Sequence, residues 1–229
     1  MISEFQVKTY SFKGNNYYIA HSDLHASWWT HEDESIIRDA IWDIEPDDQV
    51  LDIGCAFGSY ALTALSCGAS RVWAWNPLQD EMDLFNKSLH LNGWSEKAIL
   101  YFDGLYSSNG WLIPYEGTTD AQFSEDEFPG SFHVTSLDAS FDSSVLDKSK
   151  RIWMKLDVES AEVEVLKGSV EFINEFSPII VIECHTFAVP DIETQIERFM
   201  EQFPDYVKTD SIPYHSVRFV KFEKFVLTS

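Results

Sequence analysis

Short apolar runs alternate with amphipathic stretches along most of this chain, and from residue 49 the alternation becomes regular. Residues 49–53 form a compact apolar run, residues 60–67 carry helical spacing closed by Gly68, and residues 71–75 form a second run. That succession predicts strand, helix, strand, because a glycine just past a periodic stretch takes up the left-handed conformation that ends a helix. The pattern continues with a helix over 80–92 closed by Gly93, then strands over 98–102 and 152–156. A helix over 161–176, a strand over 178–183 and a helix over 192–203 follow. Apolar strands set between helices predict a mostly parallel sheet covered on both faces. Two final alternating runs, 215–222 and 224–227, are tightly joined and predict an antiparallel hairpin.

Upstream, residues 5–20 alternate as a hairpin would, and Ile36, Ile37, Ala40 and Ile41 give residues 34–42 a helical face. Residues 1–45 are accordingly read as an N-terminal cap segment ahead of a domain at 46–229. Residues 106–129, rich in Ser, Gly, Asp and Glu, interrupt the rhythm and predict a loop or substrate lid.

With 229 residues, 45% of them hydrophobic and 24% charged, the chain has the composition of a globular α/β domain. Its 38 acidic against 16 basic side chains give a formal net charge of −22, which argues against nucleic acid as a partner. No apolar run approaches the roughly 18 residues that span a bilayer, and the first residues lack the basic and apolar regions of an export signal. Cys55, Cys67 and Cys184 are far apart and show no CxxC spacing, so neither a disulfide framework nor a zinc ribbon is expected. A cytoplasmic protein without a membrane span is the expectation.

The first regular strand runs into Asp52-Ile53-Gly54-Cys55-Ala56-Phe57-Gly58, with small residues at the strand-to-helix turn. Glycine admits positive φ and lacks a Cβ, and the helix start supplies free amides, so a ligand can approach this backbone closely. A dinucleotide fingerprint, GxGxxG, would need glycine at Ser59 and prefers it at Ala56. The GxAxG form found here resembles the S-adenosylmethionine loop of class I methyltransferases. Asp52, Gly54, Ala56 and Gly58 are the cofactor candidates of this turn. Asn76, at the end of the second strand, stands where a ribose-binding acid is expected, and Asp103, just past the third, is a further cofactor candidate.

The second half carries a more specific pattern. Lys155-Leu156-Asp157-Val158-Glu159-Ser160-Ala161-Glu162, continuing through Leu166 to Gly168, is followed by a strand from Pro178 to Glu183-Cys184-His185. With Thr135-Ser136-Leu137-Asp138, these residues resemble the FkbM-type methyltransferase family, over about residues 34–185. The resemblance implies a Rossmann-like fold with a mostly parallel seven-stranded sheet and a C-terminal antiparallel hairpin. It also implies S-adenosyl-L-methionine as cofactor and methylation of a hydroxyl on a small-molecule, glycan or natural-product acceptor.

Asp157 and Glu159 follow the end of a parallel strand, the edge where open α/β sheets bind ligands. His185 and Asp157 are candidates to take the acceptor's proton, with Glu183 and Glu159 beside them. Asp157 and Glu183 are equally candidate ligands for a divalent metal such as magnesium. Glu162 is read as an acid favouring a helix N-terminus.

Two positions depart from the family pattern: Asn76 replaces an acid and Ser160 replaces a glycine. They keep open a cofactor-binding but inactive protein, while the missing third glycine disfavours a nicotinamide-dependent oxidoreductase. His21, His25 and His31, near Trp28 and Trp29, predict an aromatic flap over the substrate or a packed cap, with zinc as a further option from the His21–His25 spacing.

Overall fold

The computed structural model describes residues 5–22, 32–113 and 123–225, and its contacts divide the chain into two compact units, Met1–Phe102 and Asp103–Ser229. The first unit begins with a hairpin of β1 (Gln6–Phe12) and β2 (Asn15–His21). Lys13 and Gly14 turn the chain between them in the left-handed region, with φ of 47° and 82°. There follow α1 (Glu32–Ile41), β3 (Gln49–Ile53), α2 (Ser59–Ser66), β4 (Arg71–Trp75), α3 (Gln79–Asn92) and β5 (Ala98–Tyr101). β3, β4 and β5 are parallel neighbours, and the β3–β4 register runs from Gln49 opposite Arg71 to Ile53 opposite Trp75. Every residue of β3 is buried, which is why it reads as a continuous apolar run.

The hairpin is tied to the helices by specific bonds. Asn92 of α3 accepts from the Tyr18 amide at 2.8 Å and donates to the Tyr18 carbonyl at 2.7 Å. Ser88 Oγ accepts from the Ala20 amide at 2.8 Å, and the Tyr17 hydroxyl meets Thr63 of α2 at 2.8 Å. Large buried side chains of this unit, Trp42, Leu51, Leu62, Trp73 and Phe85, form its core.

The second unit opens with β6 (Gly104–Leu105), β7 (Gly110–Leu112), β8 (Phe123–Ser124) and β9 (Phe132–Thr135), which form a small sheet in the order β6-β9-β7-β8. Next come α4 (Leu137–Ser140), β10 (Ile152–Leu156), α5 (Glu162–Lys167), α6 (Val170–Phe176) and β11 (Ile179–Cys184). α7 (Ile192–Met200) leads to the closing pair β12 (Tyr206–Tyr214) and β13 (Val217–Lys224). The main sheet has seven strands in the order β12-β13-β11-β10-β3-β4-β5, with β10–β11, β3–β4 and β4–β5 parallel and β13 antiparallel to both its neighbours. The expected α/β class, strand number and antiparallel C-terminal pair are all present. No helix among the described residues is long and apolar enough to cross a membrane.

Three expectations change. The 106–129 stretch is not simply a loop: its described residues carry β7 and β8, while 114–122 lie outside the described residues. The helix expected over 161–176 is two helices. A Cβ at Gly168 would lie 2.1 Å from the Tyr106 carbonyl oxygen, so this position needs glycine for close approach. Asp138 then starts α6 by accepting from the amides of Glu171 and Phe172, each at 2.9 Å. Finally, the C-terminal hairpin turns at His215, whose φ is 47°, instead of joining 215–222 to 224–227. Its first strand, β12, is mostly exposed and polar, which left little apolar alternation to read.

Candidate functional site

The first group of candidates lies at the ends of β3 and β4. Gly54, Ala56 and Gly58 all have left-handed φ, at 77°, 46° and 87°. The Trp75 carbonyl accepts from the amides of Gly54 and Cys55 at 2.9 and 3.1 Å, which fastens the turn to the end of β4. Asp52 is fully buried and its Oδ2 accepts from the Ala61 amide at 3.0 Å, so this carboxylate anchors the first turn of α2. Gly58 is the N-cap of α2 and provides no side-chain cap, leaving helix-start amides to other acceptors. Its glycine has a packing reason as well, because a Cβ there would come within 2.2 Å of the Phe85 ring.

Asn76 follows Trp75 directly and is 7% exposed. Its amide donates to the Tyr101 carbonyl at 3.1 Å, and its Nδ2 donates to Glu81 Oε2 of α3 at 2.7 Å. Trp75 stacks on Tyr101 with centroids 4.6 Å apart. Asp103 belongs to the second unit, where its Oδ1 lies 2.9 Å from His133 Nδ1, while His133 Nε2 meets Asn109 Oδ1 at 3.0 Å. A left-handed small-residue turn and uncapped helix amides suit the carboxylate of an adenosyl amino acid.

The second group converges within the second unit. β10 and β11 are parallel with Leu156 opposite Ile182, so Asp157, Glu183 and His185 issue from the same end. His185 is 3% exposed, and its Nε2 lies 3.4 Å from Glu159, 3.6 Å from Asp157 and 3.9 Å from Glu183. Its Nδ1 meets Glu162 Oε1 at 2.6 Å, and the same oxygen accepts from the Ser160 amide at 3.0 Å. Glu162 is fully buried, and among the described residues its Oε2 has no hydrogen-bond partner. Lys155, itself 2% exposed, donates to Asp157 Oδ2 at 3.0 Å.

Electrostatics divide these groups by role. Burial opposes a charged His185, but its hydrogen bond to Glu162 and the charges of Asp157, Glu162 and Glu159 raise it to about 10. Burial and the neighbouring Asp157 push Glu183 up to about 9, so it is protonated at neutral pH. Burial would raise Asp157 too, yet Lys155 and His185 hold it below the usual carboxylate range. Asp157, Glu183 and His185 bring ligand atoms within 4.8 Å of one another, compact enough for a divalent ion. Lys155 Nζ, 3.0 Å from Asp157 Oδ2, already sets a positive charge against one of these carboxylates.

Sequence reasoning missed Lys155, Glu81 and the pairing of Glu162 with His185. Glu162 and Glu81 both sit in first helical turns, where an acid has a sufficient local reason to be present. Ser160 has φ of 83°, which explains the family's glycine at that position. His21 is buried and its Nδ1 lies 3.2 Å from the Ser22 carbonyl. His25, His31, Trp28 and Trp29 lie outside the described residues, so the flap and zinc expectations do too.

Residues 52–208 match the sequence model of the Methyltransferase FkbM domain, and the chain belongs to that family. No curated protein matches it. Among solved structures, it is similar to methyltransferase FkbM from Methylobacillus flagellatus, with 15% identity and a TM-score of 0.58 over 81% of this chain. The match covers 46% of that protein, so this chain spans under half its length. A Streptococcus mutans protein described as a SAM-dependent methyltransferase has 10% identity and a TM-score of 0.58, covering 95% of this chain and 55% of that one. Another from Streptococcus mutans, described as a methyltransferase and solved in complex with SAH, has 12% identity and a TM-score of 0.52, covering 85% and 99%. At such identities the likeness is one of fold.

Proposed function

We propose that this protein transfers a methyl group from S-adenosyl-L-methionine to a hydroxyl oxygen of a small-molecule, glycan or natural-product acceptor. Family membership supports methyl transfer, and the Gly54–Gly58 turn supports the cofactor. The observation that carries transfer to oxygen is the Glu162–His185 pair, in which a buried carboxylate fixes Nδ1 and turns Nε2 toward Asp157 and Glu159. That arrangement suits removal of a hydroxyl proton.

The cofactor, when bound, supplies a methyl group already activated by its sulfonium. Transfer of that methyl to the acceptor oxygen would leave S-adenosylhomocysteine, and the residues of this chain would have the acceptor's proton to remove. The hydroxyl proton passes to Nε2 of neutral His185, while Glu162 holds the ring and Asp157 stabilises the imidazolium that results. Lys155 keeps Asp157 ionised throughout. Residues 1–45 form the cap segment in this reading, and the chain's net charge of −22 favours neutral or cationic acceptors.

Calorimetry with S-adenosylmethionine, S-adenosylhomocysteine and NAD tests the cofactor, and methyl transfer to a panel of hydroxylated acceptors tests the reaction. The reading expects binding of both adenosyl ligands, none of NAD, and turnover indifferent to a chelator. Binding of NAD alone would overturn it in favour of an oxidoreductase. Adenosyl binding with loss of turnover on chelation, restored by magnesium, would replace His185 with a metal ion as the activating group.

A further inference from the structure

We propose that Glu81, held in place by Asn76, is the carboxylate that receives the ribose hydroxyls of the adenosyl cofactor. This rests on the cofactor reading above. Asn76 occupies the strand end where the ribose is expected, but a neutral amide lacks the charge that strengthens bonds to a diol. The structure brings a charge to that point from the next helix: Asn76 Nδ2 donates to Glu81 Oε2 at 2.7 Å.

The pair is fixed from two sides. Trp75, immediately before Asn76, carries the amides of Gly54 and Cys55 on its carbonyl, so the glycine turn and the strand end are fastened at adjacent residues. The Asn76 amide is bonded to Tyr101 at the end of β5, which leaves the buried side chain little freedom except toward Glu81. A carboxylate accepts at about four lone-pair positions, so the bond from Asn76 can fix Glu81 while the same group receives a diol. Glu81 is half-buried in the first turn of α3. Asn76 is therefore a positioning residue, and Glu81 the group that touches the cofactor.

The pairing also fixes the direction expected of Asn76→Asp. An Asp would set a second carboxylate against Glu81 and weaken cofactor binding instead of tightening it.

The decisive measurement compares S-adenosylhomocysteine with its 2′,3′-dideoxy analogue by calorimetry, on the wild-type protein and on Glu81→Gln. Gln retains an oxygen for Asn76 and removes only the charge, so the fold is expected to persist. Glu81→Gln should weaken S-adenosylhomocysteine by about ten- to a hundredfold, as loss of a charged acceptor implies. Affinity for the dideoxy analogue should change by less than about threefold on the same substitution. Equal losses for both ligands, or none for either, would overturn the assignment. The wild-type protein gives a check that needs no variant, since equal affinity for the two ligands would mean that nothing receives the hydroxyls. Wild-type protein that binds no S-adenosylhomocysteine would overturn the cofactor reading, whereas wild-type binding with an indifferent Glu81→Gln would overturn this inference alone.

Discussion

Glu162 is buried beside His185 and decides what that histidine can do. At neutral pH the Glu162 hydrogen bond and the surrounding carboxylates keep His185 protonated, with its proton lost only near pH about 10. If neutral His185 takes the acceptor's proton, turnover should climb with pH toward that value. Glu162→Gln removes the charged partner of Nδ1, so the rising limb should move to lower pH by about one unit or more, one unit being about 1.4 kcal/mol. A limb that stays where it was in a pH–rate profile would place the proton acceptor elsewhere.

Ser160 gives a residue-scale prediction of opposite character. Its φ of 83° strains any L-residue by about 1–2 kcal/mol. Ser160→Gly relieves that strain but frees the unfolded chain, so a gain of up to about 1 kcal/mol is expected in urea unfolding. A loss would mean that the serine side chain contributes more than its backbone strain takes away. Asp157, Glu183 and His185 were legible in the sequence because strand ends in a parallel sheet converge by topology. Lys155 and Glu81 were not, because their partners lie at positions that no periodicity marks.

The elements divide along the same line. β3, β4, β10 and β11 were visible as apolar runs because both their faces are buried, and α3 because Gly93 ends it with φ of 71°. The break between α5 and α6 left no trace in hydrophobic spacing, since it arises from a tertiary approach of Gly168 to Tyr106. Asp138, read in the sequence only as part of a family motif, is the acid that restarts the helix. Asp138→Ala should therefore cost about 1–2 kcal/mol, as removal of a helix-start acceptor does, and the midpoint of chemical denaturation will show it. An unchanged midpoint would mean that packing of Phe172 and Ile173 alone holds α6.

For the whole molecule, the acidic cluster makes stability depend on pH in a definite direction. His185 binds its proton more tightly when folded, so its contribution is complete below the ordinary imidazole range and fades as pH rises toward about 10. Glu183 behaves alike: its contribution is complete below the ordinary carboxylate range and fades as pH rises through about 9. Asp157 opposes them, contributing above the ordinary carboxylate range and losing that contribution on acidification. Stability should thus decline as pH rises from about 6.5 to about 9, and Glu183→Gln, which stays neutral at every pH, should flatten that decline. Parallel urea midpoints for the two proteins across this range would show that Glu183 is ionised in the native state.

The closing hairpin also bears on how copies of the molecule behave toward one another. β12 ends the strand order on one side, and an unpaired strand invites a neighbour to add to it. Here the ladder slips between Lys208 and Asp210, Pro213 brings no amide, and Lys208 pairs with Glu193 and Glu197 on α7. At the opposite side β5 is four residues long. Copies that meet along the main sheet therefore find two borders that are poor templates for strand-on-strand growth.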